Sequence, residues 1–129
     1  MKLASIDVGL KRIGIAICLT SDIVTPQAAI LRKNRNQAAR DVNIFLKEWE
    51  IEKLIVGFPS ASIDMQNRIN HFVSLLELKI PYEFCEENMS SIEAEDLIKG
   101  EIKYKRDGRI DSLAAKIILE RYLAKKILS

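Results

Sequence analysis

A chain of 129 residues has room for one domain, residues 1–129, and for a core that needs neither disulfides nor structural metal. Hydrophobic residues make up 48% and charged residues 29%, with five glycines and three prolines, a balance that excludes a disordered or fibrous chain. Basic and acidic side chains number 20 and 18, so a net charge of +2 neither demands nor excludes a nucleic-acid partner, and local charge has to decide.

No run approaches the roughly 20 apolar residues that would cross a bilayer. After MKLASIDVGLKR no apolar stretch of secretory type follows, so no membrane association is expected. Cys18 and Cys85 lie in separate apolar runs without a CxxC pair and read as small buried hydrophobes in a reducing compartment. A cytoplasmic location is the expectation that follows.

The predicted elements begin with a strand from Lys2 to Val8, closing on Asp7-Val8-Gly9. A second apolar run, Arg12 to Leu19, follows so soon that the pair reads as a hairpin. A third strand is expected from Gln27 to Leu31, after Pro26, completing an antiparallel meander. Ala38, Val42, Phe45, Leu46 and Trp49 then fall at helical spacing and predict an amphipathic helix over 36–50, with Trp49 in the core. Residues 53–58, KLIVGF, form a nearly continuous apolar run stopped by Pro59, which suits a parallel strand covered on both faces.

A second helix is expected over 64–78, burying Ile69, Phe72, Val73 and Leu76, and a short strand follows from Tyr82 to Cys85. Ser90-Ser91-Ile92-Glu93 has the pattern of a capping box opening a helix that runs to Lys99. Residues 100–109 show no period and read as a connection, and a last helix begins near Ile110 with Ile110, Leu113, Ala114, Ile117 and Ile118 as its apolar stripe. Right-handed crossovers would set the later strands parallel to the first. The expected architecture is α/β: a mixed five-stranded sheet, antiparallel meander plus parallel strands, with helices on both faces.

In that topology Asp7 ends the first strand, and Glu86 and Glu87 follow the last, so their strand ends meet at the edge where open α/β sheets bind ligands. Asp111 stands in the first turn of the final helix, whose start could pack over that edge. Each carboxylate has an ordinary role when taken singly: turn residue, solvated loop, partner of a helix dipole. Gathered together, they would repel one another unless protonated or neutralised by cations. Mg2+ or Mn2+ suits such oxygen ligands, and two ions about 3.5–4 Å apart can activate water and stabilise the leaving oxygen of a phosphodiester.

Four segments carry a resemblance. Asp7-Val8-Gly9-Leu10-Lys11-Arg12-Ile13-Gly14 resembles the DxGxKRxG opening of the YqgF-type pre-16S ribosomal RNA nucleases, a family also described as Holliday-junction resolvases. Ile55-Val56-Gly57-Phe58-Pro59 is similar to its (I/V)VGxP strand end, Glu86-Glu87-Asn88-Met89-Ser90-Ser91 to its DERxST segment, and Ile110-Asp111-Ser112-Leu113-Ala114-Ala115 to its (V/I)DxxAA helix start. The matches fall in family order over nearly the whole chain. The resemblance implies a ribonuclease H-like fold and metal-dependent hydrolysis of nucleic acid, with Asp7, Glu87 and Asp111 as catalytic and metal-holding residues. It also implies that Lys11 and Arg12 steady substrate phosphate and that Ser90 and Ser91, beyond capping a helix, touch substrate.

The chain departs from the pattern at Glu86, where the family has aspartate, at Asn88, where it has arginine, and after Pro59, where Ser60-Ala61-Ser62-Ile63-Asp64 is shorter and lacks glycine. The arginine is a planar cation suited to phosphate, and Asn88 does not replace it.

Between Lys99 and Arg109 basic residues outnumber acidic ones, and Lys103, Lys105 and Arg106, with Tyr104 among them, could track a phosphate backbone while the ring stacks on a base. Arg32, Lys33 and Arg35 form a second basic cluster with less to favour a functional role, and the lone His71 reads as ordinary surface chemistry. Three functions stay open: an endonuclease maturing 16S rRNA precursor, a resolvase of branched DNA, and an RNA-binding assembly factor with little catalysis. Expected partners are nucleic acid and, beyond it, the ribosomal subunit or assembly proteins, with the protein itself a monomer or weak dimer. The DxGxxxxG opening also occurs in actin-like and sugar-kinase-like ATPases, but those close two large domains on the nucleotide, and 129 residues cannot supply both.

Overall fold

The computed structural model describes residues 1–20, 23–86 and 112–128, with side chains through 126. Three strands come first, β1 (Leu3–Val8), β2 (Arg12–Cys18) and β3 (Thr25–Leu31). They are followed by α1 (Arg35–Glu48), β4 (Lys53–Phe58), α2 (Ile63–Leu76), β5 (Tyr82–Glu86) and, after the interval, α3 (Leu113–Leu128). The sheet order is β3-β2-β1-β4-β5. β1, β2 and β3 pair antiparallel, whereas β4 lies parallel to β1 and β5 parallel to β4. The expected mixed five-stranded sheet is the observed one.

β1 and β4 lie inside this sheet, which is why KLIVGF is apolar on both faces and LASIDV is buried along nearly its whole length, with Ser5 and Asp7 the polar exceptions on one face. One face, formed by Ala4, Ile6, Val8, Ile13, Ile15, Leu54 and Val56, packs under α1 and α2 through Val42, Leu46, Ile69 and Phe72. The other, with Leu3, Ala16, Cys18, Ile55 and Cys85, packs under α3 through Ala115, Ile118, Leu119 and Tyr122. Both cysteines are free and buried, filling this second layer as small apolar groups. Trp49 packs partly buried against the first layer, its ring 6.0 Å from that of Phe45.

Helix ends follow local chemistry. Asn34 caps α1 by accepting from the Gln37 amide at 2.8 Å, while the Gln37 side chain accepts from the Asn34 and Lys33 amides, a complete capping box. Ser62 caps α2 through the Met65 amide, and Glu77, with φ 47°, turns the chain out of it.

Two boundaries differ instructively from expectation. β3 begins at Thr25 and includes Pro26, because β3 is an edge strand and a missing ladder donor costs nothing on its outer side. α3 buries Leu113, Ala114, Ile117 and Ile118 as expected, and also Ala115 and Leu119, a wider arc than a single stripe. The helix expected from Ser90 to Lys99, the connection at 100–109 and Ile110 lie outside the described residues.

Candidate active site

Side-chain alternation along β1 decides where Asp7 goes. Ala4, Ile6 and Val8 belong to the α1–α2 layer and Leu3 to the α3 layer, so Ser5 and Asp7 share the α3 side with Leu3. Asp7 is half-buried and pairs in register with Gly14 of β2.

Polar contacts then fix the polarity of α3 over this face. Ser5, fully buried, donates from Oγ to the Ala115 carbonyl at 2.6 Å. At the far end, Lys53, the first residue of β4, donates from Nζ to the Tyr122 hydroxyl at 2.8 Å. The helix therefore starts over the C-terminal edge of β1 and ends over the beginning of β4. Ser112, also fully buried, closes the arrangement by accepting from the Ile15 amide at 3.0 Å. That amide lies where the β2–β3 register shifts between Ile13 and Ile15, and it adjoins Gly14, the partner of Asp7. A buried N–H left without an acceptor costs about 1–3 kcal/mol, so the Ser112 hydroxyl holds the helix start beside Asp7 with real force.

The β1–β2 hairpin carries Lys11 and Arg12, both exposed, at the same edge. Its turn is closed by the Gly9 amide donating to the Arg12 carbonyl at 3.0 Å, and a Cβ on Gly9 would lie 2.5 Å from that oxygen, so no other residue fits without a shift. Arg32, at the end of β3, pins the turn from outside. Its amide donates to the Lys11 carbonyl at 2.9 Å and its Nη1 to the Gly9 carbonyl at 2.9 Å. Partial burial, and then the charges of Arg35 and Arg68, hold the Arg32 guanidinium below its usual pKa.

β5 ends at the same edge with Glu86, in register with Phe58, and Glu86 Oε1 accepts from Ser60 Oγ at 2.8 Å. The short segment after Pro59 is thereby tied to the end of β5. The edge thus collects Asp7, Lys11, Arg12, Glu86 and Ser112. Glu87, Ser90, Ser91, Lys103, Lys105, Arg106 and Asp111 lie outside the described residues, and among the described residues no three potential metal donors cluster.

Sequence reasoning missed Ser5, Ser112 and the pinning role of Arg32. Ser5 did leave a trace, as the polar residue inside a buried apolar run. Arg32 left only its charge, because its partners Gly9 and Lys11 are distant in sequence.

Comparison with known proteins agrees with this architecture. The family described as "RuvX: Holliday junction resolvase" matches residues 1–125. The "Putative pre-16S rRNA nuclease" of Sulfurovum sp. (strain NBC37-1) is 65% identical over 127 residues, covering 96% of this chain and 99% of the relative. The protein of the same name from Sulfurimonas denitrificans is 51% identical over 129 residues, covering 98% and 99%. Among solved structures, the Holliday junction resolvase of fowlpox virus superposes with a TM-score of 0.62 at 16% identity, over 97% of this chain and 99% of that one, so the two share a fold. With the family matched over almost its whole length and near relatives named as nucleases, the chain belongs to the RuvX Holliday junction resolvase family of nucleic-acid hydrolases.

Proposed function

We propose that the protein is a divalent-metal-dependent endonuclease that matures 16S ribosomal RNA precursor, working as one domain of residues 1–129. Asp7, Glu87 and Asp111 are its catalytic carboxylates and the residues that hold Mg2+ or Mn2+. One observation carries the assignment: Glu86, which ends β5, and Ser112, which precedes α3, both stand at the Asp7 edge of the sheet. Glu87 and Asp111 are their immediate neighbours in sequence.

A half-buried aspartate at a strand end, with carboxylates next in sequence to both flanking anchors, is a donor set for hard cations that prefer oxygen. When bound, such ions activate water and stabilise the leaving oxygen of a phosphodiester. The chain's own work is positional. Ser5 and Ser112 hold the start of α3 against the sheet, and the pinned hairpin presents Lys11 and Arg12 to substrate phosphate. Ser90, Ser91, Lys103, Lys105 and Arg106 supply further substrate contacts in this reading, with ribosomal subunit or assembly proteins as additional partners. Neither cysteine forms a disulfide, as suits a reducing compartment, and a cytoplasmic site of action is part of this reading.

A second reading, resolution of branched DNA, is favoured by the family's description and by the fold shared with the fowlpox resolvase. One experiment separates the two. Precursor 16S rRNA and a four-way DNA junction are incubated with wild type or Asp7→Asn in Mg2+ or Mn2+. RNA cleavage that needs metal and vanishes in the variant is the expected result. Cutting confined to the junction selects the resolvase, and binding of RNA with no cleavage of either substrate by wild type removes the enzymatic reading.

A further inference from the structure

Outside the acidic edge, the α1–α2 side holds a group of arginines that the proposed chemistry does not use. Arg32 leans over the buried Phe72 ring of α2, its guanidinium carbon 5.6 Å from the centroid. Arg35 opens α1 and reaches α2, placing Nη1 3.1 Å from His71 Nε2, which must therefore accept. Arg68 stands one turn before His71 on α2, and its charge is felt at Arg32 together with that of Arg35. Three permanent cations are thus brought together from the end of β3, the start of α1 and the middle of α2.

Among the described residues no carboxylate forms an ion pair with them. The ion pairs Lys2–Glu50, Lys53–Glu83 and Lys116–Glu120 all lie away from this group. The first turn of α1 contains no acid, and Asp64 in the first turn of α2 forms no ion pair with Arg68. Gathering like charges without a counter-ion costs folding energy, and here the cost is met by fixed contacts of Arg32 with the Gly9 carbonyl and the Phe72 ring. An arrangement held this way is complete only when an anion arrives. Guanidinium forks match phosphate oxygens in pairs, which lysine cannot do.

We propose that Arg32, Arg35 and Arg68 form a phosphate platform that carries the substrate backbone from the Lys11–Arg12 hairpin onto the α1–α2 side of the molecule. The proposal rests on the nuclease reading of the adjoining edge but is tested through binding. Arg32 itself is left intact because it pins the hairpin.

Affinity is measured in EDTA, where nothing is cut, for a precursor rRNA fragment and a four-way DNA junction over a salt series. Arg35→Gln and Arg68→Gln are each expected to weaken binding about 3–10-fold, and the double variant more. Each should also flatten the slope of log affinity against log salt by about one. The control, Lys47→Gln with Lys79→Gln at the opposite end of the sheet, should leave affinity within about two-fold. The Arg35→Lys, Arg68→Lys double variant keeps the charges, so it should hold the salt slope while losing affinity; it also serves as the test if the glutamine pair fails to fold by thermal melting. Loss on the RNA alone, the junction alone or both supports the platform and names the backbone it carries. Wild-type affinity and slope in the folded double variant overturn it, as does an equal loss in the Lys47–Lys79 control. If wild type binds but never cleaves, the nuclease reading falls while the platform stands.

Discussion

The two layers that flank the sheet are built by different means. Under α1 and α2 the fully buried contact is apolar, from Ala4, Ile6 and Val8 to Phe72 and Leu76. Under α3 the apolar layer is punctuated by buried hydroxyls at Ser5 and Ser112 and by the Lys53–Tyr122 contact. Apolar packing is non-directional and rewards any close fit, whereas a hydrogen bond with a buried partner fixes one register. The side that must hold the acidic edge in place is the side with the directional ties.

That contrast can be broken most severely at Phe72. Phe72→Ala should destabilise the fold by about 3–5 kcal/mol in urea denaturation, because a fully buried ring leaves a cavity. The cleavage rate at saturating substrate should change little, since no tie to α3 is touched, while substrate affinity should fall because Arg32 loses the ring it leans on. A large loss of kcat at full folding would show that the apolar layer also positions the site.

Ser112→Ala is the converse. Stability should fall by only about 1–3 kcal/mol, the cost of leaving the Ile15 amide without its acceptor. The cleavage rate should fall about 5–30-fold, as one or two kcal/mol of lost positioning implies. A stability loss with unchanged kcat would reduce Ser112 to a packing residue.

Removing the α1 cap sharpens the comparison from the apolar side. Asn34→Ala should cost about 1 kcal/mol by thermal melting, with no change in kcat.

The smallest effect is pH-dependent. The hydrogen bond to Tyr122 raises the Lys53 pKa, burial opposes it by less, and the nearby Tyr122 and Glu83 charges add smaller upward contributions. A lysine whose pKa rises on folding adds stability that is complete below its unfolded value and is lost as pH climbs through the folded one. Unfolding scans from neutral to strongly alkaline pH should therefore show a decline above the ordinary lysine range that is shallower in Tyr122→Phe. Superimposable curves would remove Lys53 from the account.

Much of this was legible beforehand because it depends on local pattern. Alternating and continuous apolar runs mark β1, β2 and β4, helical spacing marks α1 and α2, and Asp7-Val8-Gly9 puts a carboxylate at a strand end. Arg32 was visible only as charge, since its bonds to Gly9 and Lys11 join segments more than 20 residues apart in sequence. Ser112 was passed over because a serine beside a helix start is ordinary, and its partner Ile15 lies 97 residues away in sequence. Pro26 misled because it argues against strand in general, while an edge position removes the objection.

The same edge has a consequence for the protein as a solute. A flat outer strand with free amides is a template on which a neighbouring molecule can add its own strand, the first step towards aggregation. β3 interrupts its row of donors at Pro26 and breaks its register between Ile13 and Ile15 of the adjoining strand. At the opposite margin β5 is only five residues long and bears Glu83 and Glu86. Both margins therefore discourage edge-to-edge pairing between molecules, a protection that does not depend on net charge.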